Sequence, residues 1–433
     1  MTEISASRER RGAYTVRDDD LADAAALTQT LVAVPTESPA GERYPEFVDL
    51  LEHELRVRIP DCSLQRLFIP REAYDAHPRL REAIKGDRVI LLARFTAPGK
   101  SSLHINDHYD VVPAGDPARW TVTPPFSPRI VNDRIYGRGA CDSKGSIAAL
   151  IEALAIVRRE RRPLAYDLTV SFTPDEEISS YSGLLYLIDR TRAGDPYLDA
   201  DAFLAVDGHQ NHISIGKVGL IRFEIQIIGR ASHIARSFTA TNAVHLATPV
   251  LDALLELRGQ VERRSSAYPG NPDLPLGRVR PNLVVTAICG GSPAEVVPDR
   301  CVISGSRTVL PDESPAPMDD ASNELVTAIL DVRQRYQIPM TFRVEAALPP
   351  FITSADVPPV RRMREVAARK PGSLFPAACS EGFNEITLVT SLGIPVFARG
   401  VQTPDCNVHM PDENVPLHNL RVGIEDLVGF LGE

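Results

Sequence analysis

Leu168-Thr169-Val170-Ser171-Phe172-Thr173 is an unbroken β-forming run, and it stops at Pro174-Asp175-Glu176-Glu177. Such a run reads as a buried strand, with three carboxylates gathered at its C-terminal end. The arrangement recurs along the chain. Ala202-Phe203-Leu204-Ala205-Val206 stops at Asp207, and the strand candidate Ser102-Leu103-His104-Ile105 leads to His108-Tyr109-Asp110. Helical patterns separate these strands. The most apolar runs from about Ser146 to Glu160, directly after Gly137-Arg138-Gly139-Ala140-Cys141-Asp142-Ser143-Lys144-Gly145. Apolar strands alternating with helices predict an α/β fold, a mostly parallel sheet flanked by helices on both faces. Open sheets of this kind place their sites just beyond the C-terminal ends of the strands.

Working outward, Leu21, Ala24, Leu27, Leu31 and Val32 recur at helical spacing and the pattern ends at Pro35. A second helix is expected from about Pro45 to Arg58, a strand over 89–95, a proline-rich loop from Pro113 to Pro128 and a hairpin-like segment from Ile130 to Tyr136. The rhythm changes after Gly219. Strands over 220–228, 281–289, 300–309 and 340–344 and helices over 242–257 and 319–336 give the order β-α-β-β-α-β of a ferredoxin-like unit. The expected organisation is therefore a catalytic domain in two parts, 1–217 and 348–433. An α+β lid domain, 218–347, is inserted between them.

At 433 residues the chain is long enough for two domains. Its 43% hydrophobic and 24% charged residues exclude a wholly disordered, collagenous or coiled-coil chain. With 47 basic and 57 acidic side chains the formal charge is −10, a poor match to nucleic acid. No apolar run approaches the roughly 20 residues of a membrane span. The N-terminus turns polar at Arg8-Glu9-Arg10-Arg11, unlike a secretory signal. Cys62, Cys141, Cys289, Cys301, Cys379 and Cys406 form no CxxC pair. Together these features predict a reduced, cytoplasmic protein.

The polar clusters carry the chemistry. In an extended His108-Tyr109-Asp110, residues i and i+2 point the same way, so Asp110 can sit behind the His108 ring and accept its second N–H. The pair by itself is a weak signal, and a surface loop with an incidental pair is the plain alternative. Asp142 opens a helix, where aspartate also serves as an N-cap, yet its two oxygens can bridge two cations. Glu176 and Glu177 diverge as neighbours, so one can bind metal while the other faces water; an acidic turn is the plain alternative. Asp207 follows a strand, with His209 and His212 as lesser competitors, and His409 lies in Asn407-Val408-His409-Met410-Pro411-Asp412-Glu413. Two histidines, three carboxylates and one further glutamate suit two zinc-like ions about 3.5–4 Å apart.

These motifs, in this order, resemble the dinuclear-zinc amidohydrolases and peptidases that include acetylornithine deacetylase, succinyl-diaminopimelate desuccinylase and the glutamate carboxypeptidases. The matching stretches are His108 through Pro113, Gly137 through Gly145, Asp175-Glu176-Glu177, Asp207 and His409. The resemblance implies that His108 and Asp207 hold one divalent ion, Glu177 and His409 the other, and that Asp142 bridges them. It implies zinc, with cobalt or manganese also suited to the ligands. Glu176 is then the general base and Asp110 the residue that orients His108. Gly229-Arg230-Ala231-Ser232-His233 resembles the family's lid motif, which implies a homodimer formed through the lid, with His233 stabilising the oxyanion in a neighbouring site. Arg307 resembles a lid arginine that binds a substrate carboxylate, with a structural ion pair as the alternative.

Two departures bear on specificity. Glu295-Val296-Val297-Pro298 carries glutamate where relatives often have asparagine, and Gly382-Phe383-Asn384-Glu385 stands in place of a Gly-Thr-Ser-Asp-like loop. Asn384 is the expected substrate contact there. Glu381, Glu385 and Glu295 suggest a substrate with a cationic side chain. The expected activity is hydrolysis of a linear amide, N-deacylation of an amino or diamino acid, with the substrate a small N-acyl amino acid or short peptide. The alternatives are a dipeptidase or carboxypeptidase of the same family and, from another class, a non-catalytic binding or scaffold relative.

Overall fold

The computed structural model describes residues 14–75, 82–178, 180–275, 277–291, 295–368, 372–382 and 384–433. Phe383 and the charged N-terminal stretch through Arg11 lie outside the described residues. The chain divides into two compact units. One contains the segments ending at Ile213, Ala355–Pro376 and Phe397–Glu433; the other contains Ser214–Ser354 and Ala377–Val396.

In the first unit the central strands are β1 (Ser63–Phe68), β2 (Val89–Phe95), β3 (Ser102–His108), β4 (Asp167–Thr173) and β5 (Ala202–Ala205). Their spatial order is β1-β2-β4-β3-β5. β1 and β2 pair antiparallel, as do β2 and β4, whereas β3 runs parallel to both β4 and β5. The sheet is therefore mixed: the three strands that carry chemistry are parallel, and the antiparallel pairs lie at one edge. Because β3, β4 and β5 run the same way, their C-terminal ends, with His108, Glu176 and Asp207 at or just beyond them, gather on one side.

Helices α1 (Asp18–Val32), α2 (Tyr44–Arg58), α3 (Lys144–Arg159) and α4 (Leu184–Arg192) belong to this unit. Ile147, Ala148, Leu150, Ile151, Ala153 and Leu154 of α3 are all buried, so α3 is apolar around most of its girth and sits inside the unit. The expected hairpin forms from Arg129–Val131 and Arg134–Tyr136, with Asn132 and Asp133 both at positive φ, 48° and 57°. Asparagine and aspartate tolerate that conformation better than other side chains.

The second unit contains a four-stranded antiparallel sheet of β6 (Gly219–Ile228), β7 (Leu283–Gly290), β8 (Arg300–Val309) and β9 (Met340–Leu348), in the order β7-β8-β6-β9. Helices α5 (Ala243–Val261) and α6 (Pro317–Tyr336) share its core through Val250, Leu254, Leu325 and Ile329 against Ile225, Ile227 and Ile303. The β-α-β-β-α-β order is as read from the sequence. The partition differs from the expected one: the unit reaches from Ser214 to Ser354 and adds Ala377–Val396. Strand pairing explains the addition, since Ala377–Ser380 pairs with Ile213–Lys217 and the Cys379 amide donates to the Pro269 carbonyl at 2.8 Å. Among the described residues, no helix is long and apolar enough to cross a membrane.

Candidate metal centre

Five of the predicted side chains converge within the first unit. Ligand atoms of His108, Asp142 and Asp207 lie within 4.8 Å of one another, and so do those of Asp142, Glu177 and His409. Asp142 belongs to both groups and presents one oxygen to each. Its Oδ1 lies 3.1 Å from His108 Nε2, and its Oδ2 lies 3.0 Å from His409 Nε2. His409 Nε2 is also 3.1 Å from Glu177 Oε1.

Backbone geometry puts these groups where they are. His108 ends β3 and Asp110 follows two residues on. His108 Nδ1 lies 3.1 Å from the Asp110 carbonyl oxygen and 3.4 Å from its Oδ1. The Asp110 carboxylate is shared with the turn after β4: Oδ1 accepts the Glu176 amide at 3.0 Å and Oδ2 accepts the Glu177 amide at 3.2 Å. Asp110 thus holds the imidazole, most closely through its backbone carbonyl, and the backbone of both glutamates through its carboxylate. Glu176 is partly exposed in the short 3-10 turn Glu176–Ile178. Asp207 follows β5 and receives the Gln402 side-chain amide at 2.7 Å. The glycine-rich loop is tightly built: Gly139 has φ +84°, and a Cβ there would meet Val111 Cγ1 at 2.6 Å. Lys144 is wholly buried and donates to the Val34 carbonyl at 2.7 Å.

Titration behaviour reflects burial and the pairing of carboxylates with imidazoles. Burial opposes the ionised form of Asp142, but its contacts with His108 and His409 outweigh that and hold it below the usual carboxylate range. Burial pushes Glu177 up to about 7, against the pull of His409. His409 is raised to about 10 by Asp142 and Glu177. Burial also opposes charge on His108, yet Asp110 and Asp142 hold it well above the ordinary imidazole value. Five carboxylates (Asp110, Asp142, Glu176, Glu177 and Asp207) surround two imidazoles. Such a site favours cations. Imidazole nitrogens with carboxylate oxygens are the donor set of zinc, cobalt and manganese, so the residues present fit a metal centre.

The remaining predicted residues lie elsewhere. His233 is in the second unit, in a short ladder where Ser232-His233 pairs with Val296-Val297. Its side chain is 60% exposed and its Nε2 is 3.8 Å from Glu295 Oε2. Arg307, on β8, is fully buried. Its Nη2 is held by Glu313 and, at 2.8 Å, by Glu324. That is the structural ion pair of the alternative reading, made through Nη2, while Nε and Nη1 are buried without a hydrogen-bond partner among the described residues. Asn384 precedes the 3-10 segment Glu385–Leu392. Of the acidic residues suggested for a cationic substrate, Glu385 is buried, Glu381 accepts the Asn271 amide at 3.4 Å, and Glu295 is exposed. His209 and His212 belong to neither ligand group.

Two residues were not singled out by the sequence. Glu413 and Arg138 form a buried pair beside the centre, Nη1 to Oε2 at 2.5 Å. Both stand inside the quoted motifs, at Gly137-Arg138-Gly139 and four positions past His409, but neither residue type alone marks a metal site.

Two imidazole–carboxylate groups gathered beside the ends of β3, β4 and β5 suit a metal-dependent hydrolase. The chain belongs to peptidase family M20/M25/M40, whose sequence profile matches residues 104–433. It is a metal-dependent hydrolase of amide bonds. A Mycobacterium tuberculosis chain provisionally named a succinyl-diaminopimelate desuccinylase is 26% identical over 385 residues, 88% of this chain and 97% of the relative. Two solved structures share the fold. The M20 family metallo-carboxypeptidase of Sulfolobus solfataricus superposes with a TM-score of 0.71 at 20% identity, covering 96% of this chain and 98% of that one. A dipeptidase of Saccharomyces cerevisiae gives 0.70 at 14%, covering 95% and 97%.

Proposed function

We propose that this chain removes the acyl group from an N-acyl amino acid or diamino acid, using two divalent ions, zinc in the first place. The observation that carries the two-ion reading is Asp142, whose two oxygens face two different imidazoles at 3.1 and 3.0 Å. His108 and Asp207 would hold one ion and Glu177 and His409 the other, with Asp142 available to both. When bound, the ions acidify a water and polarise the amide carbonyl.

The protein does the rest. Asp110 keeps the His108 ring in one tautomer and fixes the backbone of the glutamate turn. Glu176, adjacent to a ligand but in neither ligand group, takes a proton from the attacking water. The water oxygen bonds to the carbonyl carbon, the C–N bond breaks, and Glu176 returns the proton to the leaving nitrogen. His233, exposed at the end of its ladder, donates to the carbonyl oxygen of a neighbouring copy's substrate as negative charge develops there. That role requires a homodimer formed through the second unit. Asn384 is assigned to substrate contact. Arg307 is assigned to the fold of the second unit.

Desuccinylase likeness along most of the chain favours deacylation; the peptidase neighbours share the fold, and peptide cleavage is the second reading. Mass-spectrometric screening of zinc- and cobalt-loaded protein against N-acyl amino acids and dipeptides separates them. Turnover of dipeptides alone would replace the deacylase reading. Fewer than one bound ion per chain after reconstitution would favour a non-catalytic relative. Equal turnover of neutral and cationic N-acyl amino acids would remove the cationic preference suggested by Glu295, Glu381 and Glu385. Mixing Glu176→Ala with His233→Ala chains should restore activity that neither has alone if His233 acts across the dimer.

A further inference from the structure

His409 lies far beyond the other four ligands in sequence, and something must hold it in register with them. A short antiparallel ladder makes the first connection, with Asn414–Pro416 paired to Arg134–Tyr136 and Asn414 opposite Tyr136. Just beyond it the Gly137 amide donates to the Glu413 carbonyl at 2.9 Å. The side chains then take over. Glu413 Oε1 accepts the backbone amides of Cys141 and Asp142, each at 3.1 Å. Its other oxygen, Oε2, accepts Arg138 Nη1 at 2.5 Å. Arg138 Nη2 donates to the backbone carbonyl of His409 at 3.3 Å. The guanidinium carbon lies 5.3 Å from the centroid of the Trp120 ring. The Arg138 and Glu413 side chains are 2% and 1% exposed.

We propose that Glu413 and Arg138 are positioning residues for the metal centre: the pair ties the backbone of Asp142 to the backbone of His409 and thereby sets the spacing between the shared carboxylate and that histidine. The proposal rests on the metal reading above. A carboxylate with one oxygen on two successive amides cannot move without carrying Asp142 with it. An arginine fork that spans Glu413 and the His409 carbonyl couples that movement to His409. Lysine offers a single nitrogen and cannot span both.

The test reads the ligand field, which a merely stabilising pair would leave unchanged. Wild type, Glu413→Gln and Arg138→Lys are stripped of metal and titrated with Co²⁺, following affinity calorimetrically and the visible absorption bands optically. Circular dichroism establishes that each variant is folded. Glu413→Gln keeps an acceptor for the two amides and loses the charge; Arg138→Lys keeps the charge and loses the fork. Each should bind cobalt roughly 10–100-fold more weakly, the usual effect of removing a residue that holds a ligand, with shifted bands. Should Glu413→Gln not fold, Arg138→Lys decides. Folded variants with wild-type affinity and spectrum overturn the proposal. A wild-type chain that takes up no cobalt overturns the metal reading itself, and this proposal with it.

Discussion

Arg88 and Asp175 form a two-pronged buried ion pair, Nε to Oδ2 at 2.9 Å and Nη2 to Oδ1 at 3.2 Å, on the residue just before Glu176 and Glu177. Tyr44 Oη donates to the same carboxylate at 2.9 Å, and Ser182 Oγ also donates to it. Asp175 has φ 62°, a left-handed conformation that aspartate tolerates better than most side chains. The turn that presents both glutamates is thus anchored from the residue before β2, from the first residue of α2 and from its own far side.

Truncating that anchor leaves a buried carboxylate without its cation. Arg88→Met should lower stability by about 3–5 kcal/mol, the usual result of breaking a buried pair from one side. Urea unfolding of metal-free protein measures it. A midpoint equal to that of the wild type would show that the pair contributes nothing.

Glu176 should be separable from metal binding. Glu176→Ala is expected to retain wild-type metal content while turnover falls on the order of 10²–10⁴-fold, the contribution of general-base catalysis. Metal analysis alongside steady-state rates on one preparation makes the comparison. Undiminished rates would remove Glu176 from the mechanism; lost metal would make it a ligand.

His104 supplies a pH dependence away from the centre. It is buried in β3 with Nε2 2.8 Å from Ser171 Oγ and its ring stacked on Phe203 at 5.4 Å. Burial lowers its pKa to about 3 from an ordinary 6.5. The folded chain therefore holds the ring neutral while the unfolded chain protonates it. The associated stability is complete above pH 6.5 and drains away as pH falls towards about 3, by up to about 1.4 kcal/mol per pH unit. His104→Leu should flatten this stretch of the stability–pH curve. Parallel curves for the two proteins would contradict the assignment.

Metal uptake should release protons. His409, raised to about 10 by its carboxylate neighbours, is protonated near neutrality before an ion arrives, and an imidazole binds metal only when neutral. Apparent affinity should therefore rise as pH increases towards 10. Calorimetric titrations in buffers of different ionisation enthalpy will give different observed heats. Identical heats in all buffers would mean that no proton leaves.

The strand-end chemistry was legible because it depends on local pattern. An apolar run that stops at a carboxylate marks a buried strand and the position just past it, and His108, Glu177 and Asp207 follow from that rule. The ferredoxin-like order was legible for the same reason, since each of its strands and helices announces itself by periodicity. Neither Glu413 nor Arg138 carries such a mark: the two are 275 positions apart in sequence, and their pairing exists only once the Asn414–Pro416 ladder has closed. The segment 377–396 joined the second unit through β-pairing with Ile213–Lys217, a choice of partner that its own residues do not express.

From its residues alone this protein was determined to be an α/β chain with an inserted α+β unit and carboxylates and histidines at its strand ends, since side-chain period and strand length are properties of short stretches. Tertiary structure alone decided which oxygen of Asp142 faces which imidazole, that Asp110 serves one histidine and two backbone amides at once, and that Arg307 is buried in an ion pair. Those outcomes depend on distances between segments that only packing brings together, and burial is what makes each contact matter.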